Sequence, residues 1–178
     1  MFVFRRGKNR NTGSYIRDGV FAANDGIITT FAVIAASQGA GITATIVIIL
    51  GLANLVGDGF SMASGNYQGI KSEAAYNNRK KGKKKSIEAD IWLHPLITFF
   101  AFVVTGLFPL FPYLLGIQNA FEISIVLVAL SLFGIGCIRG HFSNKAYLKN
   151  GLESLIVGGI AALAAYFMAY WVEKYISR

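Results

Sequence analysis

Five long apolar runs, at about residues 19–38, 42–64, 95–116, 122–138 and 151–172, constrain this 178-residue chain more than anything else in it. A hydrocarbon core about 30 Å thick takes roughly 20 mostly apolar helical residues to cross, and each run is close to that length. The expected fold is therefore all-α, a polytopic membrane protein with five transmembrane helices in a single membrane domain. Composition agrees: 54% of residues are hydrophobic and only 15% charged, against roughly 25% charged in soluble domains. The first two runs are separated only by Gly39, Ala40 and Gly41, which predicts a tight helical hairpin. The third and fourth are joined by the short turn Gln118, Asn119 and Ala120. Residues 65–94 read as a basic cytoplasmic loop.

The basic residues set the orientation, because Lys and Arg are retained on the cytoplasmic side. Arg5, Arg6, Lys8, Arg10 and Arg17 precede or open the first run. Lys71, Arg79, Lys80, Lys81, Lys83, Lys84 and Lys85 lie between the second and third, and Arg139, Lys145 and Lys149 between the fourth and fifth. Fifteen of the seventeen basic residues thus fall on one side, leaving Lys174 and Arg178 on the other. An odd helix count with this split predicts a cytoplasmic N-terminus and a non-cytoplasmic C-terminus. No removable signal peptide is visible in the first 20 residues, so the first span is expected to act as its own insertion signal.

Several function classes fall away. With one cysteine, Cys137, neither an intrachain disulfide nor a zinc site built on two or four cysteines can form. Two histidines, His94 and His141, are too few for a three-histidine centre in one chain. No nucleophile–base pair or phosphate loop appears, so neither an enzyme nor a resident cofactor is expected. Six of the seven residues at 79–85 are basic. Such a run beside a bilayer serves as a topology signal or attracts anionic headgroups, and does not imply a nucleic-acid partner.

The acids locate the chemistry. Asp18, Glu73, Glu88, Asp90, Glu122, Glu153 and Glu173 read as span-end or loop residues, whereas Asp25 and Asp58 lie within apolar runs. A carboxylate at mid-span costs about 2.5–3.5 kcal/mol on insertion scales, and such residues usually have a function. Asn54, Asp58, Ser61, Met62, Gly65 and Asn66 follow helical steps of three and four, which puts them on one side of the second helix. On the first helix Thr29 is one turn from Asp25, and Gly26 and Gly59, directly after the two aspartates, allow close backbone approach. Carboxylate and amide oxygens suit many divalent cations, and a thioether biases a site toward later transition metals. Pro109 and Pro112 should bend or end the third helix at the outer face. Gly158, Ala162 and Ala165 read as a helix-packing face. His94 opens the third helix as either a structural residue or a secondary metal contact, and Cys137 has no evident partner.

These residues resemble the vacuolar iron transporter family. The first helix carries Asn24-Asp25-Gly26-Ile27-Ile28-Thr29-Thr30-Phe31-Ala32-Val33, similar to that family's first-helix signature. The second carries Gly51-Leu52-Ala53-Asn54-Leu55 and then Asp58-Gly59-Phe60-Ser61-Met62. The third has Thr98-Phe99, Phe102, Gly106 and Pro109-Leu110-Phe111-Pro112-Tyr113, and the fifth Gly151-Leu152-Glu153, Gly158-Gly159 and Ala161-Ala162. The similarity covers about residues 15–170 outside the basic loop.

The resemblance implies a homodimer that moves Fe²⁺, and often Mn²⁺, out of the cytosol in exchange for protons. It implies a path near the dimer interface lined by Asp25 and Met62. Asp58 also matches a family acid, and Thr29, Asn54 and Asn66 are candidate oxygen contacts along the path. Two departures stand out: larger family members insert a glutamate-rich metal-collecting domain where this chain has its lysine-rich loop, and Asn66 stands where the family often has glutamate. A short member of this kind suggests a prokaryotic cell membrane, with a vacuolar membrane as the alternative. The rival reading is a non-transporting scaffold whose basic loop binds anionic lipid.

Overall fold

The structure, a computed structural model, describes residues 8–81, 91–142 and 146–176. The described residues form five helices: α1 (Lys8–Gly39), α2 (Ala44–Lys81), α3 (Leu93–Leu114), α4 (Ala120–Phe142) and α5 (Tyr147–Ile176). All five contain a stretch long and apolar enough to cross a membrane, so the chain is an integral membrane protein of the all-α class.

The bundle is organised around α1, which packs against each of the other four helices. α2 rests on α1 and α3, α3 also touches α4, and α4 also touches α5. Ile27, Ile34, Leu55, Phe102, Leu110 and Leu132 fill the interior. Ile49, Val56, Val104, Leu130, Ile160 and Leu163 point outward, the apolar exterior that a lipid-embedded bundle presents.

Two of the sharp turns need glycine. Gly41, between α1 and α2, and Gly116, after α3, both have φ of 65°, a backbone region costly for residues with a Cβ. The Ile42 amide donates to the Ser37 carbonyl across the first turn, which closes the expected hairpin.

Helix ends differ from expectation in α1 and α2. α1 begins by Lys8, about three turns before the apolar run, so Arg17 and Asp18 are helical and not at a span end. α2 runs through Lys81, so the first part of the segment expected as a loop is helix; 82–90 lie outside the described residues. At 38 residues, α2 is about 57 Å long, well beyond a 30 Å core. Its extension is held by Tyr67 stacking on Trp92, with ring centroids 4.6 Å apart, and by Lys71 over the Tyr67 ring. α3 continues through Pro109 and Pro112 to Leu114, so the prolines sit in its closing turns without breaking it. Ser124 of α4 donates to the Pro109 carbonyl at 2.6 Å, tying the two helices together there.

Candidate functional site

The two mid-span aspartates are positioned by the glycines that follow them. A Cβ on Gly26 would collide with the Phe102 carbonyl oxygen and lie 3.1 Å from Thr105 Oγ1. A Cβ on Gly59 would lie 3.2 Å from the Phe99 ring and from Val103. On α3, Gly106 completes the arrangement: a Cβ there would strike Leu55 of α2 and sit 2.9 Å from the Gly26 carbonyl oxygen. Thr105 Oγ1 lies 2.9 Å from the Ala23 carbonyl and 2.7 Å from that of Ala101, adding a polar contact to the α1–α3 crossing. Both aspartate-bearing helices therefore lean on α3 at nearly the same level.

Asp25 on α1 and Asp58 on α2 are both half-buried, and the glycine after each is packed on α3. Residues 25, 29, 32 and 36 recur at helical steps and form one strip along α1. α2 borders this strip on one side and α5 on the other, and among the described residues those two helices do not touch. The strip is thus left partly uncovered within a single chain.

The other expected residues divide. Thr29 is half-buried one turn from Asp25, its hydroxyl donating to the Asp25 carbonyl at 2.9 Å. Its oxygen lone pairs are not consumed by that bond. Met62, one turn beyond Asp58, is half-buried and packs against the apolar core. Asn54, one turn before Asp58, lines a cleft of about 470 Å³ with Val33, Ala36, Ser37, Leu50 and Ala169. Its Nδ2 is buried without a hydrogen-bond partner among the described residues. Asn66 is engaged through its Nδ2, which donates to Thr98 Oγ1 at 2.7 Å, a cross-link from α2 to α3 two turns from Asp58.

That cross-link is part of a group the sequence did not reveal. Asp18 is buried and divides its carboxylate between two partners: Arg17 Nη2 at 2.9 Å and His94 Nδ1 at 2.6 Å. The Tyr15 ring lies over His94 with centroids 4.4 Å apart. Thr98 Oγ1 donates to the His94 carbonyl at 3.0 Å and accepts from Asn66. A polar chain therefore runs from α1 through α3 to α2 at the basic end of the bundle. The available signal was spacing: Asp18 is seven residues, two turns, before Asp25 and so shares its side of α1. His94 accordingly has a carboxylate partner, which favours the structural alternative for it.

Among the described residues no three His, Cys, Asp or Glu side chains converge. A divalent cation held between Asp25 and Asp58 would take its remaining ligands from oxygen and thioether groups, water, or a second copy of the chain. Cys137 Sγ lies 3.6 Å from the Tyr147 carbonyl, within the α4–α5 packing.

The comparisons with known proteins agree with one another. The profile described as the VIT family matches residues 16–94 and 83–170. The two matches overlap at the α2–α3 connection, where the chain departs from the larger pattern. A "Vacuolar iron transporter 1" of Arabidopsis thaliana is 25% identical, covering 93% of this chain and 89% of that protein. The protein of the same name from Oryza sativa subsp. japonica is also 25% identical, over 91% and 87%. A "Vacuolar iron transporter" of Toxoplasma gondii is 36% identical over 76 residues, 42% of this chain. The Arabidopsis alignment is 223 positions long, more than the 178 residues here, so that relative carries segments with no counterpart in this chain.

Proposed function

The chain belongs to the VIT family, and from that premise we propose that this membrane transporter of metal ions moves Fe²⁺, and also Mn²⁺, out of the cytosol in exchange for protons. The observation that carries the proposal is that α1 and α2 each bear one half-buried carboxylate, Asp25 and Asp58, where both helices pack on α3 within an otherwise apolar bundle. Two half-buried carboxyls on one path can hold protons or share one divalent cation, but two bare negative charges side by side are costly. That mutual exclusion is what an exchanger requires. Metal arriving from the cytosol displaces protons from the pair, and reprotonation from the far side releases the metal.

Each remaining residue has a stated part. Asp25 and Asp58 supply the charged oxygens, and the Met62 thioether selects later transition metals over Mg²⁺ and Ca²⁺. Thr29 offers an oxygen one turn along, and the Asn54 amide, with Ser37, lines the way onward through an otherwise apolar cleft. Asn66 positions the α2 extension on α3 and is withdrawn from direct metal contact in this reading. The homodimer is supported by the uncovered strip of α1. A second copy laid along it would bring its own Asp25 and Met62 to the same axis.

The basic loop in place of a glutamate-rich domain means that metal reaches the pair without a collecting antechamber. The experiment is uptake of radioactive iron and manganese by proteoliposomes, with and without a pH gradient. Metal-driven proton movement and gradient-driven metal movement support the proposal. A chain that moves neither ion is a scaffold.

A further inference from the structure

A second cleft lies against α1 nearer its N-terminal end. It has a volume of about 380 Å³ and is framed by α1, α4 and α5, with Arg17 and Arg139 on its walls, Asn24 and Ser154 adding an amide and a hydroxyl, and Phe21 and Ile135 among its apolar lining. We propose that this cleft binds the headgroup of an anionic phospholipid from the leaflet on the basic side of the bundle.

Three features of the cleft point to that occupant. The first is charge: two guanidiniums share one cleft, and arginine's planar fork fits phosphate oxygens in a way a lysine point charge does not. Each arginine already holds one carboxylate. Arg17 reaches Asp18 through Nε and Nη2, and Arg139 reaches Glu153 at 2.8 Å and the Asn150 amide oxygen at 3.3 Å, both through Nη2. Those bonds aim the guanidiniums, and a guanidinium has five N–H donors to distribute.

The second feature is depth. Arg139 lies in the last turn of α4 and Ser154 in the third turn of α5, at the same end as the basic α2 terminus, where headgroups meet the hydrocarbon. The third is the mixed lining. Phe21 is 64% exposed and offers apolar surface to glycerol and acyl carbons directly below the arginines, so the occupant has an anionic head and a hydrocarbon tail. A soluble phosphate would leave that surface wet.

The cleft is separate from the proposed ion path. Neither Asp25 nor Asp58 lines it, and its walls come from α1, α4 and α5. A bound lipid would nonetheless brace α1 through Asn24, the residue before Asp25.

The test is native mass spectrometry of the full-length chain delipidated in detergent, titrated with phosphatidylglycerol, phosphatidylcholine or glycerol phosphate. The expected result is one phosphatidylglycerol retained per protomer, bound about tenfold tighter than phosphatidylcholine, with glycerol phosphate failing to compete. Arg17→Gln with Arg139→Gln should remove that preference, Arg17→Lys with Arg139→Lys should restore part of it, and Lys174→Gln, at the opposite end, should leave it intact. If the double glutamine variant fails to fold, Arg17→Gln alone decides, since that side chain is exposed and its hydrogen bonds go to its chain neighbour Asp18. Equal binding of the two lipids, full competition by glycerol phosphate, or wild-type preference in the glutamine variants would overturn the proposal.

Discussion

The Asp18 carboxylate and the His94 imidazole meet at 2.6 Å although 76 residues separate them, and both side chains are buried. The pair fastens the start of α3 to α1 at the end of the bundle where the long α2 extension emerges. His94→Ala removes a hydrogen bond to a charged group, worth about 1.5–3 kcal/mol. The thermal midpoint of the purified protein should fall accordingly. Asp18 keeps Arg17 as a partner, so the loss should be at the lower end of that range. A variant as stable as wild type would mean that the contact contributes nothing to the fold.

The glycine contacts predict a sharp contrast between positions. Gly26→Ala and Gly106→Ala place a methyl group against backbone or a packed leucine, and overpacking of this kind costs about 1–3 kcal/mol. Transport should fall with stability, because α3 then no longer seats both aspartate-bearing helices. Gly134→Ala meets open space and gains helix propensity, so it should be neutral or slightly stabilising. Equal effects at all three positions, read by thermal unfolding in detergent, would contradict the packing account.

Much of this architecture was legible in the sequence. Five apolar runs became five helices, and the short Gly39–Gly41 interval became the first hairpin because only a turn with positive φ fits there. Asp25 and Asp58 stood out because a carboxylate in an apolar run has no cheap explanation, and both are half-buried beside glycines packed on α3. Helix ends were harder to read. Hydropathy marks where lipid stops, and polar helices such as residues 65–81 and 8–18 continue past that boundary. The Asp18–His94 pair was missed because Asp18 read as a span-end residue, and its helical spacing from Asp25 does not name a partner 76 residues away. Asn66 shares a helical side with Asp58, but its bond to Thr98 on α3 could be seen only in three dimensions.

The basic segment yields a prediction of dispensability. Exchanging several of Arg79, Lys80, Lys81, Lys83, Lys84 and Lys85 for Gln or Ser should leave metal transport by correctly inserted protein nearly intact. A reporter near Gly82 should face the cytosol and one at the C-terminus the opposite side. Loss of metal binding with topology preserved would place the segment on the ion path. Both reporters on one face would contradict the orientation.

Met62→Leu separates packing from selectivity. Leucine fills nearly the same volume, so the cost to the core should stay below about 1.5 kcal/mol. Without sulfur the site becomes harder, and iron uptake should fall while competition by Mg²⁺ or Ca²⁺ rises. Unchanged selectivity would return Met62 to a purely packing role.

The most direct measurement is iron transport by Asp25→Asn in proteoliposomes across a pH gradient. Asparagine keeps the size and hydrogen-bonding capacity of the side chain but cannot carry the charge or exchange the proton. Removing a costly intramembrane carboxylate should not impair insertion. The account predicts a folded, inserted dimer whose metal-coupled proton flux and iron uptake both fall close to background. Iron uptake at the wild-type rate in this variant would contradict the exchange mechanism.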